Sequence, residues 1–251
     1  METEGAVQII LPAFNEEGGI EELLEGLSEV SAQHKLALLP IVVDDGSSDR
    51  TAELVQQTSR TLPVRLLRHP ENRGLPAALR TGFEEALKAC REEDVVVTLD
   101  ADNTHPTELI PTMVQKIRGG NDIIIASRYT EASGVKGLSP LRRLMSDGTS
   151  WLFRMILPIK GVKDFTCGYR AYRAGLLMKG FSVYGSSFIN QPGFSCMADL
   201  LIKLRRFQPK VEEIPLVLRY DLKKSRSKMK VWTTVLETIL LILKRRLGMN
   251  F

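Results

Sequence analysis

Two short acidic clusters, Asp44-Asp45 and Asp100-Ala101-Asp102, hold the residues whose types and spacing could do chemistry. Each directly follows an apolar, β-branched run, Val42-Val43 before the first and Val95–Leu99 before the second. If both runs are parallel strands of one sheet, both clusters emerge on the same edge, where open α/β sheets bind ligands. Four converging carboxylates repel one another unless something cationic or hydrogen-bonding sits among them. Asp100 and Asp102 alternate along extended backbone, so they serve different roles. Hard oxygen ligands at this spacing suit magnesium or manganese bound jointly with a diphosphate. A lone Asp-x-Asp is more often a turn cap, but two clusters in register at strand ends favour the metal-and-phosphate reading.

The elements that must position these clusters follow from periodicity. Strand-like runs fall at Ala6–Leu11, Leu38–Val43, Val64–Leu67, Val95–Leu99 and Ile123–Ala126. Helical patterns separate them. Gly19–Val30 carries an Ile20, Leu23, Leu24, Leu27 stripe, Asp49–Thr58 has Ser48 as a candidate cap, and Pro76–Cys90 and Pro106–Ile117 each open on a proline. Strand–helix alternation with near-continuous β-branched strands predicts an α/β fold, a mainly parallel sheet covered by helices on both faces. After Arg128 the pattern loosens to a Gly/Ser-containing loop over 131–139, a helix over Leu141–Leu157 stopped by Pro158, a late strand over Val211–Leu218 and a final amphipathic helix over Val231–Leu247. The simplest division is one domain over residues 1–230 with a C-terminal amphipathic basic helix over 231–251.

Composition narrows the class. The chain has 251 residues, 43% hydrophobic and 25% charged, which excludes disorder, collagen and coiled coil. No apolar run approaches the roughly 18–20 residues of a spanning helix. The first residues show no basic region followed by a long apolar core, so no signal peptide is expected. Three scattered cysteines, Cys90, Cys167 and Cys196, support neither a zinc site nor a disulfide framework, and a cytoplasmic location is the expectation. Residues 201–251 carry 13 Lys/Arg against 4 Asp/Glu, a net +9, whereas residues 1–200 carry 21 against 26, a net −5. Such a basic end can be a solvated tail or can face phosphorylated substrates or anionic lipid. No aromatic platform or zinc finger accompanies it, so nucleic acid is not an expected partner.

Four segments together resemble the sugar-nucleotide half of family 2 inverting glycosyltransferases, which have the GT-A fold, a Rossmann-like nucleotide-diphospho-sugar transferase architecture. They are Leu11-Pro12-Ala13-Phe14-Asn15-Glu16-Glu17, Val43-Asp44-Asp45-Gly46-Ser47-Ser48-Asp49-Arg50-Thr51, Asn72-Arg73-Gly74-Leu75 and Leu99-Asp100-Ala101-Asp102. Later segments are similar to one branch, the dolichyl- or polyprenyl-phosphate mannose synthases: Ala126-Ser127-Arg128-Tyr129, then Arg142 and Ser146, then Asp164-Phe165-Thr166-Cys167-Gly168-Tyr169-Arg170, then Ser227-Lys228. The resemblance implies that Pro12, Phe14, Glu16, Val43 and Asp45 line a nucleoside pocket. It implies that Asp100, Ala101 and Asp102 meet the donor diphosphate and a Mg or Mn ion, with Asp102 the direct metal ligand. It implies that Arg128, Arg142 and Ser146 hold an acceptor phosphate and that Lys228 closes on the donor phosphates. The sequence departs from the branch at Thr104, where an amide side chain is usual, at Leu222, where an Arg is usual, and over 193–199, where an aromatic–Gln–x–Glu segment is usual.

The implied reaction transfers a hexose, mannose or glucose, from a GDP- or UDP-sugar to a polyprenyl or dolichyl phosphate with inversion, catalysed by Asp100, Asp102 and Arg128. A phosphate monoester is largely dianionic at neutral pH, its second pKa being about 6, and needs no general base. That fits a chain with only three histidines. A family 2 enzyme acting on a hydroxyl would need a base, for which Asp147 or Asp199 is the candidate. A non-catalytic sugar-nucleotide-binding protein at a membrane surface is the alternative outside enzymes, against which both Asp100 and Asp102 count. The apolar stripe of Val231, Trp232, Val235, Leu236, Ile239 and Leu240, closed by Lys244-Arg245-Arg246, either packs on the sheet or lies in a bilayer interface. The second placement makes the protein peripheral on the cytoplasmic membrane face, where it could meet its lipid acceptor and an integral membrane partner.

Overall fold

The buried positions of two strands show why the chain builds a covered sheet. Val7, Ile9, Ile10 and Leu11 in β1 (Val7–Ala13) and Ile41, Val42 and Val43 in β2 (Leu38–Asp44) are buried although neighbours in a strand point to opposite faces. Both faces are therefore packed, as parallel sheets require. The computed structural model describes residues 5–136, 148, 150, 152–156 and 158–222. Within them the seven-stranded sheet has the order β3-β2-β1-β4-β7-β5-β8, from β3 (Arg65–Arg68), β4 (Val95–Thr98), β5 (Ile123–Ser127), β7 (Arg170–Arg173) and β8 (Val211–Pro215). Every adjacent pair is parallel except the two that involve β7, which runs antiparallel to β4 and β5. β6 (Gly134–Lys136) and β9 (Val217–Arg219) form a separate parallel pair.

The first-half helices sit where their stripes predict. In α1 (Ile20–His34) the stripe residues Ile20, Leu23, Leu24, Leu27 and Val30 are buried, and the helix runs past Val30 until Lys35 turns left-handed. α2 (Thr51–Thr58) begins later than expected, and Ser48 does not cap it. Instead Asp49 Oδ1 accepts the Thr51 N–H, while the Ser48 N–H is drawn to Asn15 Oδ1. α3 (Leu75–Leu87) holds Pro76 in its first turn and packs on β1 and β2, with Gly82 so close to Ile10 that a Cβ would lie 2.4 Å from Ile10 Cγ2. α4 (Ile110–Arg118) follows a single 3₁₀ turn.

The second half departs from the sequence expectation in three places. The expected strand over Val211–Leu218 is two strands in two sheets. Pro215 ends the ladder with β5, having no N–H to continue it, and Leu216 is the joint, donating its N–H to Ser127 O and accepting from the Gly134 N–H. β7 was hidden by its polar sequence, since Arg170 and Tyr172 are fully buried in it. Two helices, α5 (Ala174–Tyr184) and α6 (Ser195–Leu204), fill a stretch without a clear signal. Residues 152–156 are helical, within the expected 141–157 helix, and Phe153 stacks on Phe165 at 5.0 Å. Arg142, Ser146, Asp147, Trp151, Lys228 and the whole of the expected 231–247 helix lie outside the described residues. No helix among the described residues is long and apolar enough to cross a membrane.

Candidate active site

The carboxyl ends of β1, β2, β3, β4 and β5 share one edge because all five run the same way. β7, being antiparallel, brings its start to that edge, where Arg170 pairs with Thr98. Pro12 lies beyond the β1–β4 ladder, which stops at Ile10–Thr98, so its missing N–H breaks no bond there. The strand order places the ends of β1 and β4 at the reversal point of the sheet, the usual ligand crevice.

Two loops interlock at the β1 and β2 ends. Asn15, left-handed at φ 52°, donates its N–H to Ser47 Oγ (2.9 Å), and its Oδ1 accepts from the Ser48 N–H (2.9 Å). The Glu16 N–H donates to Thr51 Oγ1 at 2.8 Å and the Glu17 N–H to Asp49 Oδ2 at 3.1 Å. Phe14 is half-buried and Glu16 buried in this loop, whereas the Val43 side chain is wholly core, 3.4 Å from where a Gly82 Cβ would be. Val43 can therefore shape a nucleoside pocket only from beneath.

The repulsion expected among the acidic residues is answered by the chain itself. Asp45 accepts from the N–H groups of Arg73 (3.0 Å) and Gly74 (2.7 Å) and lies 2.6 Å from His69 Nδ1. His69 Nε2 reaches Thr81 Oγ1 at 3.0 Å, so the imidazole ties Asp45 to α3. Asp44 is fully buried; its Oδ1 accepts the Ser47 N–H, and Arg68 Nε stands 3.1 Å from Oδ2 as a charge contact without hydrogen-bond geometry. Gly46, at φ 72°, allows the 71–72 backbone to cross over it, where a Cβ would sit 2.4 Å from Glu71 C.

Asp100 and Asp102 follow β4 on the same edge. Asp102 Oδ1 accepts from Thr104 Oγ1 at 2.7 Å and from the Thr104 N–H at 3.2 Å. Thr104, standing where an amide is usual, thus orients Asp102. His105 Nδ1 accepts the Asp100 N–H at 3.1 Å, and the ring stacks on Tyr169 at 5.0 Å. His105 is turned to the backbone and to that ring. Gly168 approaches Asp100 so closely that a Cβ would lie 3.2 Å from its Oδ1. Among the described residues no group of three or more His, Cys, Asp or Glu is gathered as a metal site. The residues that fit a hard divalent ion are Asp100 and Asp102, two oxygen donors that leave the remaining positions to diphosphate and water.

Arg128, after β5, is fixed by a buried partner. Its Nε and Nη2 fork onto Asp164 Oδ2 and Oδ1 at 2.8 Å each, and Nη2 also donates to Thr166 Oγ1 at 2.8 Å. Burial alone would raise the Asp164 carboxyl, but the Arg128 charge and hydrogen bonds override it and hold Asp164 below the usual carboxylate range. Burial pushes the neighbouring Cys167 thiol up to about 12. Asp199, the candidate base for a hydroxyl acceptor, lies inside the fold 2.5 Å from Lys203 Nζ. Lys203 in turn donates to Ser187 O and Asn190 Oδ1. Arg219, three residues before Leu222, pairs with Asp221 at 2.9 Å.

The described structure thus brings Pro12, Phe14, Glu16, Asp45, Asp100, Ala101, Asp102 and Arg128 to the strand-end edge. Sequence reading passed over His69 and Thr104 as positioning groups. His69 is a lone histidine next to Pro70, and only the fold shows that it faces Asp45.

A family profile described as Glycosyl transferase family 2 matches residues 8–181. The dolichol-phosphate mannosyltransferase of Pyrococcus furiosus is 36% identical over 210 residues, 83% of this chain and 55% of that protein. The polyprenol monophosphomannose synthase of Mycolicibacterium smegmatis is 30% identical over 210 residues, 83% of this chain and 75% of that protein. The chain therefore spans little more than half the length of the Pyrococcus protein, 55%. Glucosyl-3-phosphoglycerate synthase from Mycobacterium tuberculosis, in complex with Mn2+, UDP and glucosyl-3-phosphoglycerate, superposes with a TM-score of 0.67 at 21% identity, over 98% of this chain and 81% of that one. At that identity the likeness speaks for the fold alone.

Proposed function

We propose a reaction for this chain from one premise: it belongs to glycosyl transferase family 2 and has the GT-A fold. The reaction is transfer of a hexose, mannose before glucose, from a GDP- or UDP-sugar to a polyprenyl or dolichyl phosphate, with inversion. Mannose comes first because the named relatives are mannosyltransferases. The observation that carries the choice of a phosphate acceptor is Arg128. It is held by Asp164 at the same sheet edge as Asp100 and Asp102, while Asp199, a candidate base, is engaged by Lys203.

Pro12, Phe14, Glu16, Val43 and Asp45 form the nucleoside end, with Asp45 held by the 69–74 loop. Arg128, Arg142 and Ser146 bind the acceptor phosphate and aim it at the anomeric carbon, Arg128 through a guanidinium whose plane is already set. The acceptor dianion attacks without a base, and the nucleoside diphosphate leaves from the opposite side. Asp100 and Asp102 would hold a Mg or Mn ion, which supplies neutralisation of the leaving diphosphate. Lys228 closes on the same diphosphate. In support, the Arg219 N–H donates to Thr104 O at 3.1 Å, so the chain enters the segment leading to Lys228 beside the Asp102 loop. The protein works on the cytoplasmic face of a membrane, held by the apolar and basic 231–251 segment or by an integral membrane partner.

The test is incubation with radiolabelled GDP-mannose, GDP-glucose, UDP-glucose and UDP-mannose and a short polyprenyl phosphate, with manganese or with EDTA. Lipid-extractable label that depends on the phosphate and on manganese supports the reading and identifies the donor. Label that appears only on added glycerate or saccharide hydroxyls overturns it.

A further inference from the structure

Asp100 and Arg128 are contacted by the two ends of one short segment. At its start, Asp164 is buried and forks onto Arg128, and its Oδ1 also accepts the N–H groups of Thr166 (3.2 Å) and Cys167 (3.0 Å), closing a tight turn on itself. Thr166 Oγ1 takes a second bond from Arg128 Nη2. At its end, Gly168 lies against Asp100 Oδ1, and Gly168 O accepts from Thr98 Oγ1 at 2.7 Å. The segment is pinned on the other side as well. The N–H groups of Lys163 and Asp164 donate to Glu213 Oε1 at 2.5 and 2.7 Å, and the Ala126 N–H donates to Tyr169 O at 3.0 Å. It is therefore fastened to β4, β5 and β8 at once and has little freedom to change length.

We propose that residues 164–168 are a spacer that sets the separation of the acceptor-side Arg128 and the donor-side Asp100, and so of the two substrates they hold, Asp164 and Thr166 positioning Arg128 and Gly168 positioning Asp100. This rests on the reading of Arg128 as an acceptor-phosphate residue and of Asp100 as a donor-side residue. In-line displacement needs the reacting atoms about 3–3.5 Å apart, and a misplacement of about 1 Å costs on the order of 100-fold in rate. A rigid element touching both sides meets that demand without a moving lid. Gly168 has no positive φ, so an added methyl meets no backbone strain; it meets the Asp100 carboxylate at 3.2 Å, which must yield by a few tenths of an ångström. Thr166→Val keeps the shape of the other end and removes one bond to Arg128 without leaving a buried charge.

The two variants are compared with the parent and with Arg128→Ala, using farnesyl phosphate and whichever of GDP-mannose and UDP-glucose is turned over. KM is measured for each substrate, and manganese-dependent binding of the matching nucleoside diphosphate by calorimetry. Thr166→Val is expected to raise the farnesyl phosphate KM about fivefold, the scale of one lost hydrogen bond, with diphosphate binding unchanged. Gly168→Ala is expected to weaken diphosphate binding by about the same factor and leave the farnesyl phosphate KM unchanged. If both variants move both constants together, or Thr166→Val moves neither while Arg128→Ala raises the acceptor KM, the spacer is overturned and the acceptor reading stands. If Arg128→Ala leaves the acceptor KM unchanged, the acceptor reading itself falls and the spacer with it.

Discussion

Around Asp45 the carboxylate is met by two backbone N–H groups and an imidazole, all from the 69–74 stretch. Around Asp164 it is met by a guanidinium from the turn after β5 as well as by its own turn. Both aspartates are buried, yet they are built differently. Backbone amides are fixed once the loops fold, and their placement depends on Gly46 and Gly74, whose positive φ lets the loops pass and turn. A forked ion pair depends on two side chains from distant loops meeting, and losing one partner leaves the other charge buried. On the proposed assignment the nucleoside side is thus a matter of loop geometry and the phosphate side a matter of paired charge, so the two should respond to different perturbations.

The largest effect is expected where neither device is touched. If Asp102 is the proposed metal ligand, Asp102→Asn removes a hard anionic donor that Thr104 orients, and a loss of about 3 kcal/mol in transition-state stabilisation is about 100-fold in kcat/KM. A thermal melt close to that of the parent should accompany it; near-normal turnover in manganese would remove Asp102 from the metal site. Next, Asp45→Asn places an amide against two N–H donors and should raise the donor KM about tenfold and cost about 1–3 kcal/mol of stability, read by urea titration. Arg142→Ala with Ser146→Ala should do the reverse, raising the acceptor KM about tenfold with the donor KM unchanged. An acceptor KM that stays put would confine the phosphate side to Arg128.

A pH titration tests the paired-charge device by stability instead of rate. The folded-state pKa of Asp164 is depressed, so its contribution is present above the ordinary Asp value of about 3.9 and is lost as pH falls through the folded pKa. Asp164→Asn, itself less stable by about 3 kcal/mol, should therefore lose less further stability than the parent between about pH 5 and about pH 3. Parallel acid limbs for the two proteins would contradict the paired-charge account. The smallest effect concerns the membrane. Each basic residue near an anionic surface contributes about 1 kcal/mol, so the full chain should sediment with phosphatidylserine vesicles at low salt and less so after truncation at Lys230. Indifference of the full chain to such vesicles would assign the helix to the core and membrane contact to a partner.

Much of the first half was legible because one period ruled each element. The α1 stripe and the continuous apolar strands are signals that packing obeys, and the acidic clusters lie where the strands end. The second half was less legible because its strands and helices break those periods. Arg170 reads as a surface residue, yet it is fully buried with its guanidinium donating to Met197 O and Phe165 O. Pro215 divides what periodicity joins. Asp164 belonged to a recognised segment, but nothing local in the sequence says that its partner is Arg128, 36 positions earlier in the turn after β5.

β7 has one more consequence, which concerns the order of synthesis. β4 and β5 have no ladder with each other; the four residues Arg170–Arg173 lie between them and bond to both. A nascent chain that has emerged only through β5 holds one sheet of β3, β2, β1 and β4 with an open edge at Val95–Thr98, the kind of edge that recruits another strand. The ribosome must deliver about 45 further residues, some seconds at ordinary elongation rates, before the proper strand can fill it. Premature termination or a slow codon run in that interval should leave a half-sheet prone to association between nascent chains, and the same insertion that completes the reaction centre is the event that ends this exposure.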